Sequence, residues 1–417
     1  MIFSKFGHQL TRPSGIVSLM EDLGDALNVN PDLLFLGGGN PALVESFESI
    51  VARHLTEIAA TPERLHKLIG VYQSPQGDEV LLAELAQYLR ETLGWPVTQA
   101  NIAVTSGSQS AFFSLFNMLA GEGVKAGSHK HIVLPMLPEY LGYADQGLAP
   151  DMFRGFLPKT EITGSNRFKY RIDFDALTLD ENSAAICISR PTNPSGNVVS
   201  DAEVAQLAVL AEAYNIPLII DGAYGAPFPN IIYGEARCEW QEGRIYVASL
   251  SKLGLPGART GIVVADEATI SRLVSVNTVM CLANNNLGVS IMTALLQSGE
   301  LDQICAQHLL PFYRAKKDHA VACVDRHLAG LPYYLHEAEG AFFLWLWLDE
   351  LPISSSEVYR QMKELGVLVM DGAYFFYGVE APSLHTKQCI RLTYCQSEEV
   401  VERGVERLGG LLRELYK

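Results

Sequence analysis

A lysine, Lys252, follows the apolar run "RIYVASLS" and opens the Gly/Pro-rich loop "KLGLPGART". Other polar residues fall at comparable places. Asp221 ends "IPLIID", and Tyr224 follows three residues on. Asn193 sits in the middle of "PTNPSGN". Gly107-Ser108-Gln109 follows "NIAVTS", Ser249 precedes the lysine and Arg259 follows it. Taken singly, each has an ordinary explanation as a turn, an N-cap, a core phenol or a solvated cation. Taken together they match the needs of carbanion chemistry on pyridoxal phosphate. That cofactor is an aldehyde, so it requires a lysine to hold it as a Schiff base and to move protons, and Lys252 is the candidate. Its ring accepts electrons only while the pyridine nitrogen stays protonated. A buried carboxylate raises that nitrogen's pKa, which is the role open to Asp221. Asn193 and Tyr224 can donate to the anionic ring oxygen. The phosphate needs N–H groups at a helix N-terminus plus a cation. Gly107, Ser108 and Gln109 offer the first, Ser249 and Arg259 the rest.

The elements that must position these residues are legible as apolar runs. "NIAVTS" (101–106), "HIVLPM" (131–136), "AAICIS" (184–189), "IPLIID" (216–221), "RIYVASL" (244–250) and "GIVVAD" (261–266) read as buried strands. Helical patterns lie between several of them. One is "SDAEVAQLAVLAEAYN", with Ser200 or Asp201 as N-cap. Short strands alternating with helices predict an α/β fold with a mostly parallel sheet covered on both faces. In such a sheet ligands bind beyond the carboxyl ends of the strands, which gathers the polar set onto one rim. The ends of the chain read differently. Residues 1–45 are loop-rich. From about 310 come a long helix, "FFLWLWLD", a helix near 355–365, "GVLVMDG", "QCIRLTY" and a last helix at 397–415. This predicts a large domain over 46–309 and a smaller α+β domain built from 1–45 and 310–417.

The motifs "TSGSQSAF", "PTNPSG", "DGAY" and "SLSKLGLPGARTG", in this order and spacing, resemble the class I/II aminotransferases of the fold-type-I pyridoxal phosphate enzymes. The resemblance spans nearly the whole chain. It implies a mostly parallel seven-stranded sheet in the large domain, and a homodimer with shared active sites. It implies that Lys252 carries the cofactor, with Asp221, Tyr224 and Asn193 around the ring and Tyr140 stacked on it. By the same resemblance Arg391, in "CIRLTY", grips the substrate carboxylate, and Tyr72, in "VYQSPQG", reaches the phosphate of the neighbouring subunit. Gly38 and Gly39 let backbone approach the substrate carboxylate. Further stretches, such as "SGIVSLMEDL", "LGGGNPA" and "EGAFFLWLWL", resemble a branch that moves an amino group from valine to pyruvate. Periodicity alone reads Arg391 as a surface strand arginine, because Ile390 and Leu392 flank it.

Composition sets bounds and removes rivals. Over 417 residues, 48% hydrophobic and 19% charged, the chain is long enough for two domains with a large core. With 31 basic and 47 acidic residues the net charge is −16, which argues against nucleic acid or anionic membrane as partner. A small amino acid and a 2-oxo acid are the expected partners. The seven cysteines show no CxxC and no zinc-type spacing to histidine, so no metal is expected and a reduced cytoplasmic setting fits. The N-terminus lacks the apolar core of a signal peptide. The longest apolar run, "AFFLWLWL", is far short of the ~20 residues that span a bilayer. Gly37-x-Gly39-x-x-Ala42 has the form of a dinucleotide fingerprint, but no second strand ending in an acidic residue follows it. A transcriptional regulator would need a basic helix-turn-helix module, for which the first thirty residues leave no room. A lyase that cleaves C–S bonds with the same cofactor is not separated by these motifs.

Overall fold

The computed structural model describes residues 3–12, 14–17, 32–123, 125 and 127–417. Residues 18–31, expected in the smaller domain, lie outside the described residues, as does the end of "SGIVSLMEDL". All six runs expected as strands form strands. The larger sheet holds β2 (Ile102–Thr105), β3 (Gly121–Glu122), β4 (His129–Leu134) and β5 (Phe153–Gly155), then β8 (Ser183–Ser189), β9 (Leu218–Asp221), β10 (Arg244–Ser249) and β11 (Gly261–Val264). Their order is β2-β11-β10-β9-β8-β4, and both β3 and β5 pair with β4. The β4, β8, β9 and β10 ladders are parallel, whereas β11 runs antiparallel to β10 and to β2. The sheet therefore has eight strands rather than the expected seven, because two short segments share one edge of β4. Every residue of β8, β9 and β10 is buried, as both faces of a covered sheet require. The helix Asp201–Ala213 begins with a capping box: the Ser200 hydroxyl accepts from Glu203 N–H at 3.3 Å, and Glu203 accepts from Ser200 N–H at 2.9 Å.

The second sheet holds β6 (Lys159–Gly164), β7 (Arg167–Arg171), β12 (Tyr333–His336), β13 (Phe343–Leu348), β15 (Met370–Asp371) and β16 (Cys389–Thr393), in the order β15-β16-β13-β12-β7-β6. This sheet draws on both segments of the expected division. The β6–β7 hairpin falls within 46–309 yet pairs with β12 of the terminal segment, Leu335 opposite Arg167. Nothing local marks this: all of β6 is exposed and its apolar content is low. The two ends of the chain meet where β1 (Leu34–Phe35) runs parallel to β14 (Val367–Leu368). The closing helix Glu398–Leu415 buries Val401, Val405, Leu408 and Leu412, an i, i+4, i+7 stripe. One apolar cluster runs from Ile188 and Ile220 in the larger sheet to Phe343 and Leu392 in the smaller. That continuity sets β16 and its Arg391 close to the strand ends of the larger sheet.

Candidate active site

Ser108, Gln109, Tyr140, Asn193, Asp221, Tyr224, Ser249, Lys252 and Arg259 line one cavity of about 390 Å³. These side chains come from five separate stretches of chain, brought to one rim by the strand order. Lys252 Nζ donates to the Gly39 carbonyl at 2.6 Å and lies 5.3 Å from the centre of the Tyr224 ring. Burial lowers its ammonium to about 8, so at neutral pH the uncharged amine is roughly 300-fold more populated than for an ordinary lysine. Asp221 accepts hydrogen bonds from the Tyr143 hydroxyl and from Ala223 N–H. Burial pushes its carboxyl up to about 6, against the pull of these two donors.

Arg391 departs from the periodicity reading. It is 3% exposed, and its guanidinium lies 4.1 Å from the Phe343 ring centre and 5.2 Å from that of Phe375. Nη1 donates to Asn193 Oδ1 and Nη2 to the Gly37 carbonyl, each at 2.7 Å, while Nε has no partner. Burial lowers the guanidinium to about 10. Asn193 thus spends its amide oxygen on Arg391 and keeps its NH₂ for the cavity.

The glycines need correcting in detail. The carbonyl that holds Arg391 belongs to Gly37, which sequence reasoning passed over. Gly38 is required by packing, since a Cβ there would lie 2.2 Å from the Phe35 ring. The Gly39 carbonyl accepts from Lys252 Nζ. At the head of the helix Ser108–Leu119, Gly107 N–H donates to Thr105 O at 2.8 Å and cannot also serve an anion. The N–H groups of Ser108 and Gln109 have no acceptor within the helix. Gly107 contributes in another way: at φ +90° it lets Arg259 approach, and a Cβ would lie 2.5 Å from Arg259 Nη2.

Tyr140 packs edge-on to Tyr143 at 5.1 Å, and Gln109 Nε2 ties the same turn down through the Gly142 carbonyl at 2.9 Å. Tyr72 is not at this cavity. It is 82% exposed and borders a separate surface hollow with Ile69, Val71 and Leu287. Sequence reasoning also missed Tyr143, Ser189 and Ser251. The spacing of Tyr140 and Tyr143 within "PEYLGY" was a signal for the first, because one tight turn aims both rings at the β9 end.

The residues present suit pyridoxal phosphate. The Tyr224 hydroxyl is buried without a hydrogen-bond partner and faces the cavity beside a lysine whose ammonium burial has lowered to about 8. Two N–H groups at a helix start and Arg259 offer a phosphate cradle at one end. Asp221 closes the other end with a carboxylate.

The sequence matches the family described as "Aminotransferase class I and II" over residues 158–408. It is 43% identical to valine–pyruvate aminotransferase of Escherichia coli K12 over 98% of this chain and 97% of that protein. The crystal structure of valine–pyruvate aminotransferase from Salmonella typhimurium LT2 superposes with a TM-score of 0.89 at 41% identity, covering 96% of this chain and 99% of that one. A Pyrococcus horikoshii kynurenine aminotransferase shares the fold at a TM-score of 0.82 and 21% identity, covering 100% and 98%. The chain belongs to the class I and II aminotransferases, enzymes that depend on pyridoxal 5′-phosphate.

Proposed function

We propose that this aminotransferase moves the amino group of valine to pyruvate, giving 3-methyl-2-oxobutanoate and alanine. The near-full-length likeness to valine–pyruvate aminotransferase carries the choice of substrates. When bound, the cofactor supplies a carbonyl carbon for the amine and a ring that accepts the electrons of the broken Cα–H bond. The rest falls to the side chains. Lys252 Nζ, its pKa lowered by burial, would take the proton from the substrate Cα. Asp221 is the carboxylate that would keep the pyridine nitrogen protonated. Tyr224 and the Asn193 NH₂ would donate to the ring oxygen, and Tyr140 would pack against the ring. Ser108 and Gln109 N–H, Ser249 and Arg259 would hold the phosphate. Arg391 still has free N–H groups, with its plane fixed between two rings, and grips the substrate carboxylate.

The same reading makes the protein a cytoplasmic homodimer with domains at 46–309 and at 1–45 with 310–417, the β6–β7 hairpin excepted. Seven free cysteines suit a reducing compartment, and no helix among the described residues is long and apolar enough to cross a membrane. Exposed Ile69, Val71 and Tyr72 suit burial against a second copy. Asn286 Nδ2 braces that loop through the carbonyls of Lys67, Leu68 and Val71.

Borohydride reduction of the holoenzyme followed by peptide mapping tests the assignment at its centre. The reduced cofactor should be found on Lys252, and Lys252→Ala should fold but lose transamination. Label on another lysine would overturn the site.

A further inference from the structure

The helix Leu310–His327 carries His319, Cys323 and His327 at intervals of four, along one helix face. Glu402, on the helix Glu398–Leu415, faces them. Cys323 Sγ lies 3.3 Å from His319 Nε2 and 2.8 Å from Glu402 Oε2. One ligand atom from each of His319, Cys323 and Glu402 falls within 4.8 Å of the others. The other carboxylate oxygen, Oε1, accepts from Arg326 Nη1 at 2.7 Å and contacts His327 Nε2 at 2.5 Å. None of these residues lines the Lys252 cavity.

We propose that His319 Nε2, Cys323 Sγ and Glu402 Oε2 form a site for one Zn²⁺ ion that staples the two helices, with water as fourth ligand. A sulfur, an imidazole nitrogen and a carboxylate oxygen make a mixed set that suits zinc, not the oxygen-seeking Mg²⁺ or Ca²⁺. Ligand atoms on tetrahedral zinc stand roughly 3.3–3.7 Å apart, so the sulfur–nitrogen pair at 3.3 Å needs to open by about 0.4 Å or less and the sulfur–oxygen pair at 2.8 Å by about 0.5–0.9 Å. Binding replaces the thiol proton: the S–H bond breaks, a Zn–S bond forms, and the proton leaves to solvent. Thiolate and carboxylate then balance the charge of the ion. His327 and Arg326 act on Oε1 and orient Glu402 from behind, as outer partners of metal ligands do. Without the ion the thiol donates to Glu402, and burial holds the thiol at about 12, so a hydrogen-bonded clamp of the same residues is the competing account. The reading of the sequence that finds no zinc-type spacing overlooks this run, because Glu402 lies 79 residues beyond Cys323.

The two accounts separate on metal uptake. Holoenzyme is stripped with a chelator and titrated with zinc chloride, with bound metal counted by elemental analysis and Tm followed in parallel. One zinc per chain and a raised Tm are expected. Cobalt in place of zinc should give a sulfur-to-metal absorption band. Cys323→Ser should remove that band, and His319→Ala should weaken zinc binding ~10-fold or more. Both variants should keep the kcat/KM of the native enzyme. His319→Ala alters a half-buried position, so it reports even if Cys323→Ser fails to fold. No zinc uptake by the native chain, or equal uptake by the His319 variant, would overturn the site.

Discussion

Arg391 shows how far burial changes what one residue can do. On an exposed strand its charge would be screened and its contribution small. Between Phe343 and Phe375 it has lost its water, and its partners are a neutral amide and a carbonyl. An anionic substrate is the partner that such a cation lacks. Lys would keep the charge but not the planar fork. Arg391→Lys should therefore hold cofactor while kcat/KM falls ~10²-fold or more for every amino donor, as loss of a positioned charged pair of ~3 kcal/mol implies. The fall should be equal for alanine and valine, because the contact ignores the side chain. A loss confined to one donor would place Arg391 in the side-chain pocket. Residues at strand ends, such as Asp221 and Lys252, were legible because chemistry and position coincide there. Tyr143 and Gly37 were not, since one acts through Asp221 and the other through a backbone carbonyl.

The end of the cavity proposed to hold the phosphate depends on how one turn meets one loop. Gly107 sits at φ +90°, ψ +158°, a conformation essentially confined to glycine, and Arg259 passes where a Cβ would stand. Gly107→Ala should displace the guanidinium and strain the turn by about 1–3 kcal/mol. Affinity of the apoenzyme for pyridoxal phosphate, read by titration, should drop roughly 10-fold or more, in keeping with a lost charge-assisted hydrogen bond. Unchanged affinity would mean that the turn does not serve the phosphate. The strands flanking this turn were legible because continuous apolar runs mark sheets covered on both faces. The place of the hairpin β6–β7 in the second sheet is not legible locally, because its pairing with β12 is long-range. Strand membership in a sheet is set by partners that the local pattern does not contain.

At the scale of the molecule, the proposed homodimer would link the exposed Tyr72 to the completeness of the cavity. Tyr72 is 82% exposed, in a loop braced by Asn286 and beside other exposed apolar side chains, and would meet a second copy in that dimer. If Tyr72 completes the partner's phosphate site, mixing inactive Tyr72→Ala and Lys252→Ala proteins should restore activity through hybrid dimers with one intact site. No recovery after confirmed subunit exchange would contradict shared sites. The reaction itself is tested most directly by mass balance. Holoenzyme given valine and pyruvate should consume pyruvate and form alanine and 3-methyl-2-oxobutanoate mole for mole, with a higher kcat/KM than with 2-oxoglutarate as acceptor. Products formed without an acceptor, or ammonia released in place of alanine, would contradict it.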